Sequence, residues 1–223
     1  MRFEFHGLVG ELMPTIRNAQ KDYFAFFDLP DHLQVDIAAL EKQFYAMSRR
    51  LHPDRFASRP LAEQEAALAE SSRLNDAYRT LKDPILRTQY LLTLEGIELE
   101  EQSKAATDAA RSSGEQKKQI VPPELLEEVF ELNMQLQEMR AARQMGEDEP
   151  ELRRDLMTAK DAFDVKMVET QAELKGLWAA WDAAVDAGDE AGKTKAKDAM
   201  VTLLNKRNYL RNLVRDVNEA LGL

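Results

Sequence analysis

The stretch "IAALEKQFYAMSRRLHPDRF", residues 37–56, reads as a helix that is stopped on purpose. Ile37, Leu40, Phe44, Met47 and Leu51 recur at the three- and four-residue spacing of one buried helical face, and Asp36 stands before them as an N-cap acceptor. Pro53 has no N–H to give and biases His52 away from helical angles, so the helix is expected to end at about Leu51. At about 100° per residue, Lys42 and Arg49 then share the solvent side, with Tyr45 at its edge and Arg50 further round. The outward face is basic and leads down to a corner made of His52, Pro53 and Asp54.

Outward from that corner the pattern stays helical. Upstream, "DYFAFFDL" (22–29) is a short aromatic segment ended by Pro30. Downstream, a helix is expected from Leu61 to Lys82, with Leu74, Ala77, Tyr78 and Leu81 on one side. Asp83 and Pro84 start another that ends at Gly96, an acceptor cap followed by a proline at the first position. Two long helices therefore form a hairpin with the HPD corner in its bend. Residues 98–121 are polar, small and poor in apolar side chains, the composition of a linker. Three more helical patterns follow, roughly 123–145, 151–187 and 190–221, broken near "MGEDEP" and "AGDEAG", and they predict a small bundle. The fold class expected is all-α, in four segments: an N-terminal extension (1–19), a helical-hairpin domain (20–97), a linker (98–121) and a C-terminal helical domain (122–223).

Charge and composition narrow the function. Thirty basic against forty acidic side chains give a net charge of −10, which repels nucleic acid and anionic membrane unless cations cluster locally. No cysteine is present, which removes disulfides, thiol nucleophiles and thiolate metal sites and suits a reducing cytoplasm. There is no run of about 18 apolar residues that would span a membrane, and the first residues lack the features of a secretory or transit peptide. Neither nucleic acid nor membrane is expected as a partner.

The corner itself admits several chemistries. Asp54 can accept a bidentate pair from an arginine, His52 can donate through one ring nitrogen and accept through the other, and Pro53 stiffens the loop before any partner arrives. A plain turn would use the same residue types. A catalytic His–Asp pair lacks a nucleophile placed beside it, and three scattered histidines show no ligand spacing. No catalytic residue, metal or cofactor is expected, and a loop for docking a partner protein, with Arg49, Arg50 and Arg55 around it, fits the charge pattern.

A second surface lies in "PPELLEEVFELNMQLQEM", residues 122–139. Leu125, Val129, Leu132, Leu136 and Met139 form one apolar stripe, adequate for a bundle core. Leu126, Phe130 and Met134 form another, flanked by Glu127, Glu131 and Glu138, with no Lys or Arg between Gln119 and Met139. Either both stripes are core, as in a helix sandwiched between two others, or the second is a patch that binds a client through apolar contact and selects it by charge.

Taken together, "FYAMSRRLHPDRF" (44–56) and "RLNDAYRTLKDPILRTQYLL" (73–92) resemble a J-domain, the module through which co-chaperones stimulate DnaK-type ATPase chaperones. Followed by "PPELLEEVFEL", they resemble the HscB type, a J-domain fused to a helical domain that recruits the scaffold protein of iron–sulfur cluster assembly. The resemblance implies that His52, Pro53 and Asp54 contact an HscA-like DnaK-type chaperone, with Tyr45, Arg49, Arg50 and Arg55 supporting the docking. It further implies that Leu126, Glu127, Phe130, Glu131 and Met134 contact an IscU-like scaffold protein, although Glu127 and Met134 differ in type from the residues expected at those positions. The chaperone hydrolyses ATP and this chain does not, so it is not expected to be an enzyme. The 98–121 stretch is longer than the family's usual connection. The alternative reading is a general J-domain adaptor that serves a different client. An accidental HPD turn in a purely structural helical protein would predict no chaperone response.

Overall fold

The computed structural model describes residues 22–97 and 121–223; the expected N-terminal extension (1–19) and nearly all of the expected linker (98–121) lie outside them. Among the described residues there is no strand, and no helix is long and apolar enough to cross a membrane. The protein is all-α, as the periodicity predicts.

The chain compacts into two units. The first, among the described residues, comprises 22–30 and Asp36–Asp83. It contains α1 (Tyr23–Phe26), α2 (Ile37–Leu51), a 3-10 turn (Pro53–Phe56) and α3 (Leu61–Lys82). Helix α2 starts where Asp36 accepts from the amides of Ala38 at 2.9 Å and Ala39 at 3.0 Å, two donors with no partner inside the helix. It ends at Leu51 because His52, held before proline, has ψ 128°. Leu40 of α2 and Ala67, Leu74, Ala77 and Leu81 of α3 are buried, as are Phe24 and Phe27. Ile37, Phe44, Met47 and Leu51 are partly covered. Phe44 stacks on Tyr78 with ring centroids 4.1 Å apart, and the Tyr78 hydroxyl donates to Glu41 Oε1 at 3.2 Å, which ties α2 to α3 close to the basic face.

The second unit comprises Asp31–Val35 with residues 84–97 and 121–223. Its helices are α4 (Pro84–Leu94), α5 (Leu126–Met145, entered through a 3-10 turn, Pro123–Leu125), α6 (Pro150–Ala187) and α7 (Glu190–Leu221). The breaks expected at "MGEDEP" and "AGDEAG" are αL caps at Gly146 (φ 73°) and Gly188 (φ 64°), a conformation that costs a residue with Cβ and costs glycine little. Leu125, Val129, Leu132, Leu136 and Met139 pack against Leu156 and Phe163 of α6 and Leu210, Leu213 and Val217 of α7. A fully buried leucine contributes roughly 1.5–3 kcal/mol, so this three-helix core is the main source of the unit's stability.

At its other end α6 carries α4 and the 31–35 segment, both of which fall inside the expected 20–97 segment. The Trp178 indole donates to Thr88 Oγ1 at 3.0 Å, and the buried Arg87 guanidinium lies 4.8 Å from the Trp178 ring. The Trp181 indole donates to the Asp31 carbonyl at 2.8 Å. Buried Asp182 accepts from the amides of Leu33 at 2.7 Å and Gln34 at 3.0 Å. A stretch of loop backbone thus has its donors satisfied by a helix nearly 150 positions away, which explains why it compacts with this unit. Both tryptophans are buried, in keeping with a packing role.

Candidate partner-binding surfaces

The HPD corner is a short, ordered knuckle. His52 caps the 3-10 turn: its Nδ1 accepts from the Asp54 amide at 3.3 Å and stands 3.5 Å from Asp54 Oδ2. Imidazole and carboxylate therefore orient each other while both remain exposed, at 56% and 88% of the side chain. That exposure decides what the pair can do, because a catalytic dyad needs a cleft and a docking determinant needs access.

The knuckle is fastened at both ends. Arg55 Nη1 donates to the Arg49 carbonyl at 3.4 Å, and Gln64 Nε2 donates to the Arg59 carbonyl at 2.8 Å and the Ala57 carbonyl at 3.4 Å. Gln64 has no signature in the sequence; its role depends on how α3 turns back on the loop. Lys42, Arg49, Arg50 and Arg55 are exposed, and Tyr45 is 55% exposed. At the far end of α3, Lys82 Nζ donates to the Tyr78 hydroxyl at 3.0 Å, and that hydrogen bond, with the nearby Glu41 carboxylate contributing less, raises the Lys82 pKa.

On α5 the two stripes part. Leu125, Val129, Leu132, Leu136 and Met139 are in the core, whereas Leu126 is 56% exposed, Phe130 69% and Met134 59%. The reading in which both stripes are buried is thereby overturned: among the described residues, α5 packs against α6 and α7 on one side and leaves the second stripe exposed. Of the nearby carboxylates, Glu128 is bound by Lys166 Nζ at 3.0 Å and Glu124 by Lys206 Nζ at 3.2 Å. The Glu124 pKa is lowered, first by a hydrogen bond from its own backbone and then by Lys206. Glu127, Glu131 and Glu138 are exposed and make no ion pair among the described residues. The structure therefore brings Leu126, Phe130 and Met134 together as a contiguous apolar strip with unneutralised acid beside it. It assigns Lys166 and Lys206 to holding the two glutamates that face the bundle, a distinction that only the register between helices reveals.

The same architecture is found in known structures. A chaperone HscB from Vibrio cholerae matches with a TM-score of 0.55 at 25% sequence identity, over 89% of this chain and 96% of that one. The chain is similar to HscB in fold. The human co-chaperone protein HscB matches with a TM-score of 0.57 over 97% of this chain and 96% of that one, and at 22% identity it speaks to the fold alone. No protein-family model matches the chain. In this chain the knuckle lies within the first unit and the exposed strip within the second, so each surface is presented by a separately packed core.

Proposed function

We propose that the chain is a co-chaperone that stimulates the ATPase of an HscA-like DnaK-type chaperone through the HPD knuckle and delivers an IscU-like iron–sulfur scaffold protein to it, acting in the cytoplasm and catalysing nothing itself. The observation that carries this reading is the coexistence, in one chain of HscB-type fold, of an exposed, internally braced HPD knuckle and an exposed apolar strip edged by unpaired glutamates. An exposed apolar strip forgoes burial energy, which marks it as a surface for another molecule, and an exposed knuckle keeps its polar groups accessible to one.

Mechanistically, the basic face of α2 attracts an acidic surface on the chaperone. His52 and Asp54, already oriented by each other and by Pro53, then pair with groups there at little ordering cost. Stimulation follows only if the knuckle binds the hydrolysis-competent arrangement of the chaperone more tightly than the other, since a ligand with equal affinity for two states shifts nothing. Leu126, Phe130 and Met134 supply the burial that holds the scaffold, and Glu127 and Glu131 favour a client with basic residues around its own apolar patch.

The test is steady-state ATP turnover by the chaperone. Turnover should rise with this chain, rise further when scaffold is added, and lose the response in the folded His52→Gln variant. Stimulation unchanged in that variant would remove the knuckle from the mechanism. Stimulation to which scaffold adds nothing would point to the adaptor role for another client.

A further inference from the structure

The loop that carries the HPD knuckle leaves two carbonyls with no backbone donor, those of Ala57 and Arg59. One side chain takes both. The half-buried Gln64 carboxamide donates to the Arg59 carbonyl at 2.8 Å and to the Ala57 carbonyl at 3.4 Å. Its own backbone amide donates to the Pro60 carbonyl at 3.2 Å at the start of α3, so the side chain reaches out from a fixed base.

From those two carbonyls the bonds run back into the knuckle. The Ala57 amide donates to the Asp54 carbonyl at 3.4 Å, and the Asp54 amide donates to His52 Nδ1 at 3.3 Å. The Arg59 amide donates to the Phe56 carbonyl at 2.8 Å, where the 3-10 turn ends. Two chains of hydrogen bonds, one from His52 through Asp54 and Ala57 and one from Phe56 through Arg59, therefore finish on the same carboxamide. Residues 57–60 belong to no helix, and the carboxamide is what ties their carbonyls to α3.

We infer that Gln64 is a positioning residue for the chaperone contact: it holds His52 and Asp54 in their docking arrangement from behind the loop, without touching the partner. This rests on the functional reading above, in which those two side chains dock. A loop already held in its bound arrangement loses less conformational freedom when the partner arrives. Loss of the brace therefore raises the concentration needed for half-maximal stimulation. Maximal turnover changes little, because the docked knuckle makes the same contacts.

The chemistry ranks the substitutes. Two carbonyls call for donors only. Lysine reaches as far as glutamine and offers three donors and no acceptor, methionine has the length without a donor, and glutamate sets carboxylate oxygens against both carbonyls. All four residues are good helix formers of similar length, so helix propensity does not separate them. Glutamate near a helix start favours the helix dipole, so a merely structural role would place Gln64→Glu among the best variants and not at the bottom.

The test measures ATP turnover by the HscA-like chaperone against the concentration of the full chain, with His52→Gln as control. Gln64→Met should raise the half-maximal concentration about threefold to tenfold, Gln64→Glu should raise it further, and Gln64→Lys should stay within about twofold of wild type. Without chaperone, the Asp54, Ala57 and Arg59 amides should exchange faster in Gln64→Met and Gln64→Glu, while the α2 amides keep their rates and the melting temperature moves by less than about 3 °C. A half-maximal concentration unchanged in Gln64→Met and Gln64→Glu, with His52→Gln still abolishing stimulation, overturns the inference and leaves the knuckle in place. Unchanged exchange at the three loop amides overturns it whatever the chaperone does. A wild-type chain that stimulates no chaperone brings down the functional reading itself, and the chaperone role of Gln64 with it.

Discussion

Phe130 and Leu132 stand two positions apart on α5 and face opposite environments, one 69% exposed and the other 1%. Truncating each should therefore separate stability from recognition. Leu132→Ala removes a core side chain and should cost about 2–5 kcal/mol in urea unfolding. Phe130→Ala should change stability by less than about 0.5 kcal/mol. If Phe130 anchors the scaffold, the same change should weaken scaffold binding by at least about tenfold in a calorimetric titration, as expected for a central aromatic contact. Equal affinity in wild type and Phe130→Ala would move the client elsewhere. That split was only half legible in the sequence: helical period separates the two stripes, but both are apolar, and which one is covered depends on where α6 and α7 lie. A second residue gives an alkaline signature. Burial raises the pKa of the Tyr209 phenol, with the Asp216 carboxylate adding to the effect. The folded state keeps that proton where the unfolded chain, ionising near the ordinary tyrosine value, has lost it. Stability is therefore unaffected at neutral pH and falls as pH rises past about 10. Tyr209→Phe should blunt that fall in melts taken between neutral and strongly alkaline pH, and an identical alkaline slope would show that other groups dominate.

At the scale of elements, two glycines make opposite demands. A Cβ on Gly192 would stand 2.5 Å from Asp189 Oδ2 and 3.1 Å from Ala184 Cβ, while Asp189 Oδ1 accepts from the Gly192 amide at 3.0 Å as the N-cap of α7. Gly192→Ala should push that cap aside and destabilise the hairpin by about 1 kcal/mol. Gly176→Ala meets open space in the free chain and should stabilise it by about 0.5–1 kcal/mol through helix propensity alone. Urea unfolding at low protein concentration tests both, and the same sign for both would contradict this packing. Helix ends were the most legible part of the sequence, because Asp36, Asp83–Pro84 and Gly96 act on the turn next to them. The compaction of 31–35 and α4 with α6 was not legible. It rests on Asp182 accepting from Leu33 and Gln34 and on Trp178 meeting Thr88, contacts between residues far apart in the chain with no local pattern to announce them. The bend at the HPD knuckle was readable for the same reason as the helix ends, because proline is a local device; the cap that His52 places on the Asp54 amide was not. Its exposure, and the Gln64 brace beneath it, belong to the tertiary structure.

For the whole molecule, charge is distributed against the net balance: a chain of net charge −10 presents Lys42, Arg49, Arg50 and Arg55 together on and beside α2. If that face steers the chaperone, the attraction acts over a screening length that shrinks from about 10 Å at 0.1 M salt to about 3 Å at 1 M. The concentration of this chain that half-maximally stimulates ATP turnover should then rise about tenfold between about 0.05 and 0.5 M potassium chloride, with maximal turnover nearly unchanged, because steering alters encounter more than the bound arrangement. Arg49→Glu with Arg50→Glu should raise the half-maximal concentration at low salt and flatten its salt dependence. The scaffold arm supplies an internal control. Its strip is apolar with only an acidic edge, so scaffold affinity should change less than chaperone affinity over the same salt range. If the two arms prove equally sensitive, charge is not what distinguishes them; if the chaperone arm is insensitive, the α2 face is a solvated surface and docking rests on the knuckle alone.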